Sequence, residues 1–122
     1  MAKIERFEDL KCWQTARELV KLVFEACEEE KLAKDFKTKD QIKSAALSSM
    51  NNIAEGFGRN SNKEFIRFLD ISQSSSMEVR SITYALEDSK YLPLPKIIEI
   101  REKAEAAKSI TLGLIRYLRT KL

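Results

Sequence analysis

The side chains of this 122-residue chain that could do chemistry are two cysteines, nineteen carboxylates and twenty-two Lys and Arg; histidine is absent. Without histidine the commonest general base, the usual partner of a serine or cysteine nucleophile and the commonest metal ligand are all missing. Helical di-metal sites built on Glu-x-x-His pairs are therefore impossible. The carboxylates mostly stand beside Lys or Arg at helical spacing, as Glu55 does with Arg59, and such pairs read as solvated surface worth a few tenths of a kcal/mol. Cys12 and Cys27 fall in one expected helix, roughly 22 Å apart, whereas a disulfide needs Cα atoms within about 7 Å. They read as small buried residues. Gly56-Phe57-Gly58 lacks the third glycine of a dinucleotide fingerprint and the Lys-Ser/Thr of a P-loop. No enzyme, metal site or cofactor is expected.

The basic residues form a different pattern. Arg59, Lys63 and Arg67 recur every four residues across one helix junction, Lys31 to Lys43 crowd another, and Arg116, Arg119 and Lys121 come near the end without an acidic neighbour. Any one cluster is more often a solubilising face than a binding site. Repeated in a symmetric oligomer, each would become a ring of positive charge that attracts phosphate. Lys43, Arg59, Lys63, Arg67, Arg116 and Arg119 are the candidate RNA or DNA contacts. Tyr84, Tyr91 and Tyr117 are scattered and the phenylalanines read as core, so such binding would be led by the backbone and steeply salt-dependent. The formal charge of +3 is a mild bias.

The elements that must position these residues are helices. Apolar positions recur at three and four residues through four segments, about 8–30, 38–57, 61–89 and 95–121. Thr38 with Gln41 and Ser61 with Glu64 have capping-box spacing. Gly56 and Gly58 can close a helix in the left-handed region. Phe36, in a charged loop, is expected to plug one end of the core. Pro93 and Pro95 part the last two segments, and Gly113 inside the fourth suggests a close contact, since an interior glycine costs about 1 kcal/mol against alanine. The reading is all-α: one domain over residues 1–122, an antiparallel up-down-up-down four-helix bundle. No signal peptide or span of roughly 18 apolar residues is evident, so a cytoplasmic, membrane-free protein is expected.

Two helices have apolar arcs wider than a lone bundle needs. With Phe65 at zero on the helical wheel, the main face of the third segment covers roughly 260° through 40°, yet Ile66 lies near 100° and Ile71 near 240°. Leu19 and Leu22 stand away from the Trp13 side of the first segment. These four are the candidate oligomer interface; scattered apolar residues facing water are the alternative.

Phe7-Glu8-Asp9-Leu10-Lys11-Cys12-Trp13-Gln14-Thr15-Ala16 resembles the opening of the four-helix-bundle proteins encoded in intervening sequences of bacterial 23S rRNA genes. Gln41-Ile42-Lys43-Ser44-Ala45-Ala46, Asn52-Ile53-Ala54-Glu55-Gly56-Phe57-Gly58-Arg59 and Lys63-Glu64-Phe65-Ile66-Arg67-Phe68-Leu69 are similar to that family's central signature. The resemblance implies a cytoplasmic homopentamer without known enzymatic activity. It also implies kinship with the basic accessory protein of diversity-generating retroelements, which binds nucleic acid and a reverse transcriptase. Lys43-Ser44 stands where the family often has two arginines, which weakens the positive patch, and Met50-Asn51 stands where it often has a proline. The function expected is a homo-oligomeric scaffold or adaptor with RNA or DNA as ligand. The rival is a protein-only module that holds a partner helix or a reverse transcriptase-like protein.

Overall fold

Start signals in the sequence account for where the last three helices begin: side-chain caps for two of them, and a proline in the first turn of the final one. The computed structural model describes residues 3–122, in which α1 (Lys11–Ala26), α2 (Glu30–Lys34), α3 (Phe36–Phe57), α4 (Asn62–Asp88) and α5 (Leu94–Arg119) follow a 3-10 turn at Phe7–Asp9. No strand occurs among the described residues. α1 ends at Ala26, earlier than expected. It has no basic residue in its last turn, and Glu28-Glu29-Glu30 would add negative charge to the negative end of its dipole. The expected loop then holds the short α2, whose Leu32 is fully buried.

α3 starts at Phe36 because Asp35, and not Thr38, is its cap. One Asp35 oxygen accepts the Thr38 N–H at 3.1 Å and the other accepts the Thr38 hydroxyl at 2.9 Å. The Tyr91 hydroxyl donates to the same carboxylate at 2.8 Å, tying this junction to the α4–α5 loop. The Thr38 N–H first, then the Tyr91 and Thr38 hydroxyls, hold the Asp35 carboxyl below its ordinary range. Gln41, the expected partner of Thr38, instead donates across to Glu78 on α4. Phe36 does not plug the core. It is 68% exposed with Lys39 Nζ 4.7 Å from its ring centre, and Leu32 fills the place it was expected to take.

Ser61 caps α4 as its spacing predicts, accepting the Glu64 N–H at 3.3 Å. The left-handed residue of the α3–α4 turn is Asn60 (φ 57°), and neither Gly56 nor Gly58 has positive φ. Asparagine visits that region at low cost. Gly56 serves another purpose. A Cβ there would lie 2.6 Å from Phe68 Cβ and 3.0 Å from Phe65 Cδ1, so only glycine lets α4 come this near.

The same seam continues in small residues. Ser72 donates to the Ser49 carbonyl at 2.6 Å and the Ser48 and Ser75 hydroxyls meet at 2.7 Å. Ala45, Ala46, Ser49, Ser72, Ser75 and Ser76 are all buried. Later residues of α3 meet earlier residues of α4, so this pair runs antiparallel. No buried side-chain polar atom lacks a partner among the described residues. α1 packs on α3 and α5, and α4 on α3 and α5. One core cluster gathers Leu19, Val23, Leu32, Ile42, Val79, Leu86, Ile97 and Ile100; the other gathers Leu10, Cys12, Ala16, Ile53, Phe65, Leu69, Ile115 and Leu118.

Leu19 is thereby removed from the candidate interface, since it is fully buried. The stripe of α1 runs Cys12, Ala16, Leu19, Val23 and Ala26, while Trp13 stands at its edge, edge-on to Phe7 at 5.1 Å. Centring the wheel on Trp13 misplaced the face. Leu22 and Ile66 are half-buried against the core. Ile71, at 40% exposure, is the one of the four that faces outward.

Gly113 makes no close approach: an added Cβ would meet only the Arg116 guanidinium at 3.8 Å. Gly113→Ala should therefore raise stability by up to about 1 kcal/mol, whereas Gly56→Ala should lower it by about 1–3 kcal/mol through overpacking. Urea unfolding of the two variants beside the parent chain checks both signs.

Candidate nucleic-acid interface

The α3–α4 junction sets three of the six candidate contacts. Asn60 reverses the chain just after Arg59, and the first turns of α4 carry Lys63 and Arg67 outward. Arg59 and Arg67 converge on one ring: their guanidinium carbons lie 5.0 and 4.7 Å from the centre of Phe68. Phe68 is nearly buried beneath them. A guanidinium over an aromatic face gains roughly 0.5–1 kcal/mol at an exposed site and is held without losing its charge.

The two arginines differ in their partners. Arg67 grips the Glu64 carboxylate through Nε at 3.1 Å and Nη2 at 3.3 Å. This hydrogen bond, with the charge attraction behind it, holds the Glu64 carboxyl below its usual range and raises the Arg67 guanidinium. Arg59 has no ion pair among the described residues, and the expected pairing with Glu55 does not form. Lys63, Arg116, Arg119 and Lys121 are likewise without one.

Arg116 and Arg119 occupy the last turn of α5. That turn lies at the same end of the molecule as the α3–α4 junction, because Ile115 and Leu118 share a core cluster with Phe65 and Leu10. Five of the six candidates thus come together at one end. Lys43 does not. It sits earlier in α3, roughly 24 Å along the helix axis from Arg59, with its Nζ 4.5 Å from the ring of Phe24.

The charge follows this geometry. Segments 3–17, 55–67 and 112–122 converge on that end and hold ten Lys and Arg against five Asp and Glu; the rest of the chain holds twelve against fourteen. A chain with only a mild net charge is therefore polarised, with a surplus of five cations at one end and a deficit of two elsewhere. Such focusing raises the local concentration of polyanions.

Residues 8–113 match the 23S rRNA-intervening sequence protein family. The chain belongs to that family. The fold is similar to the crystal structure of a protein with unknown function from the S23 ribosomal protein family of Bacteroides thetaiotaomicron VPI-5482. The TM-score is 0.77 at 20% identity, over 85% of this chain and 97% of that one, a likeness that concerns the fold. No curated protein matches the chain.

Among the described residues no group of three His, Cys, Asp or Glu could hold a metal ion, and no helix is long and apolar enough to cross a membrane. Cys12 and Cys27 are buried and unpaired, in separate halves of the core. Burial pushes the Cys12 thiol up to about 11 and raises Cys27 as well. Helical periodicity also conceals something at the basic end. Phe57 and Tyr117, read as core and as a scattered aromatic, line a shared groove with Lys3 and Lys121. The available signal was position, since Tyr117 falls outside the buried stripe of Thr111, Ile115 and Leu118.

Two outcomes follow from these environments. At pH 8 the folded protein should react with iodoacetamide at least tenfold more slowly than free cysteine, and denaturant should restore the rate, because the thiolate is the nucleophile. Stability should be indifferent to these thiols below pH 9 and fall from there toward 11, where the unfolded chain ionises first; the unfolding midpoint against pH checks this. Separately, Glu64→Gln should release Arg67 and steepen the salt dependence of any polyanion binding by about one phosphate contact, read by titration at several salt concentrations.

Proposed function

We propose that the chain is a non-enzymatic scaffold or adaptor of the cytoplasm that binds RNA or DNA through its basic end. In this reading its helices form an antiparallel up-down-up-down four-helix bundle, and copies assemble as a homopentamer. The observation that carries the proposal is the gathering of Arg59, Lys63, Arg67, Arg116 and Arg119 at one end, all but Arg67 free of carboxylate partners among the described residues. Unpaired cations keep their full attraction for phosphate, and displacing the ions condensed on a nucleic acid supplies the free energy. Assembly would set several such ends side by side.

Apolar side chains left outside the core support assembly. Ile71, Tyr84 and Ile98 lie on α4 and α5 at 40–47% exposure, where a second copy would cover them. The family resemblance points the same way, and kinship with the retroelement accessory protein belongs to the same proposal. A protein-only role, with those apolar faces holding a partner helix or a reverse transcriptase-like protein, leaves the polarised charge without a task.

Filter binding of a structured RNA between about 50 and 200 mM salt should show retention that falls steeply. Removing Arg59, Lys63, Arg116 and Arg119 together should flatten the slope by about 0.7–0.9 for each phosphate no longer neutralised, and Lys43→Ala should leave it unchanged. Absence of retention at the lowest salt would sink the nucleic-acid role. Sedimentation should give about five times the 14.1 kDa subunit, reduced by Ile71→Glu; a folded single subunit at high loading would overturn assembly.

A further inference from the structure

A groove of about 730 Å³ opens at the basic end, between the segment before α1, the α3–α4 junction and the last turns of α5. Its lining joins buried Leu10, Phe65 and Leu118 to half-buried Phe57 and Leu114 and to exposed Tyr117. The Phe57 ring stands edge-on to Phe65, centres 6.0 Å apart. Tyr117 is 45% exposed, with Lys121 Nζ 5.3 Å from its ring centre. The rim carries Lys3, Lys121 and the side-chain amide of Asn62, and neither lysine forms an ion pair among the described residues.

The size and the mostly apolar lining with a few polar groups are those of a small-ligand site. The charge around it selects an anion, because the groove lies within the end that carries the cation surplus. Its aromatic lining favours a flat ring, since aromatic pairs in offset-stacked or edge-to-face packing gain beyond the area they bury. An amide at the rim can both donate to and accept from a heteroaromatic edge. An alkyl anion would use the lysines but leave the amide and the ring faces idle. A flat heteroaromatic group joined to phosphates uses all of them.

We infer that the groove takes an unpaired nucleobase of a single-stranded nucleic acid. The base packs among Phe57, Phe65 and Tyr117, its edge meets Asn62, and the neighbouring phosphates lie on Lys3 and Lys121. This rests on the nucleic-acid role proposed above and adds strand selectivity to it, because a duplex keeps its bases stacked inside and offers none to the groove. Stacking on an aromatic side chain tolerates any base, so selection is for single-strandedness more than for sequence.

Fluorescence anisotropy at about 100 mM salt, using the full chain, tests this with three labelled probes of equal length: oligouridine, oligodeoxythymidine and a duplex. Both single strands should bind more tightly than the duplex, and the two single strands compare the sugars. Tyr117→Ala should weaken single-strand binding about tenfold without changing the duplex, and Tyr117→Phe should restore it. Arg59→Ala should weaken all three probes, which reports on the general phosphate attraction alone. Equal binding of strand and duplex, or indifference of the single strands to Tyr117→Ala, overturns the inference while leaving the broader role standing. A change in oligomeric mass for Tyr117→Ala with unchanged strand binding also overturns it, assigning the groove to a second copy. If the unaltered protein binds none of the three probes, the broader role falls as well.

Discussion

α3 and α4 approach each other at Gly56 so closely that a single added carbon would stand 2.6 Å from Phe68 Cβ. Much of the remaining architecture depends on that contact. It draws Phe65 and Phe68 under the end of α3, and the seam continues in buried small residues, Ala45, Ala46, Ser49, Ser72, Ser75 and Ser76. Serine hydroxyls buried there must find acceptors: Ser72 donates across to the Ser49 carbonyl, while Ser49 and Ser76 donate back to the Ala46 and Ser72 carbonyls of their own helices. Each such bond contributes on the order of 1 kcal/mol net, while an unmatched hydroxyl would cost more. A seam of this kind tolerates only one register, so it fixes where the α3–α4 turn projects.

The basic end follows from that register. Because Phe68 is drawn inward beneath the junction, its ring face is offered to Arg59 from one helix and Arg67 from the next. The ring organises two like charges that would otherwise repel, and Glu64 steadies one of them. α5 then returns its last turn to the same end, bringing Arg116 and Arg119 beside the junction. Family membership and the similarity to an S23-family structure agree with the helical architecture, and the polarised charge is a feature of this chain's own residues.

Helix positions were legible because periodicity and capping chemistry are local. Ser61 was readable as a cap, and α4 ends within a residue of its expected limit. The departures came from contacts that local patterns do not carry. At the start of α3 the expected cap was Thr38, whereas Asp35 takes that place, its carboxylate held by the Thr38 N–H and hydroxyl and by the Tyr91 hydroxyl arriving from the α4–α5 loop. Leu19 lies inside because the buried stripe of α1 runs through Cys12, Ala16, Leu19 and Val23, with Trp13, a large apolar residue, at its edge. Gly56, expected to close a helix, and Gly113, expected to make a close contact, exchange roles, because nothing short-range distinguishes a glycine pressed by a phenylalanine from one facing open space.

The amino-acid order alone determined the helical character, the absence of histidine chemistry and a closing run of Arg116, Arg119 and Lys121 without acidic neighbours, since these rest on residue type and on spacing within a single turn. Which cations share an end, which carboxylate neutralises which arginine, and which aromatics face a groove were decided only in three dimensions. Many of those relations cross from one helix to another, as Arg80 does to Glu105 and Phe57 to Tyr117, and a helical repeat carries no information across the turns that bring its neighbours together.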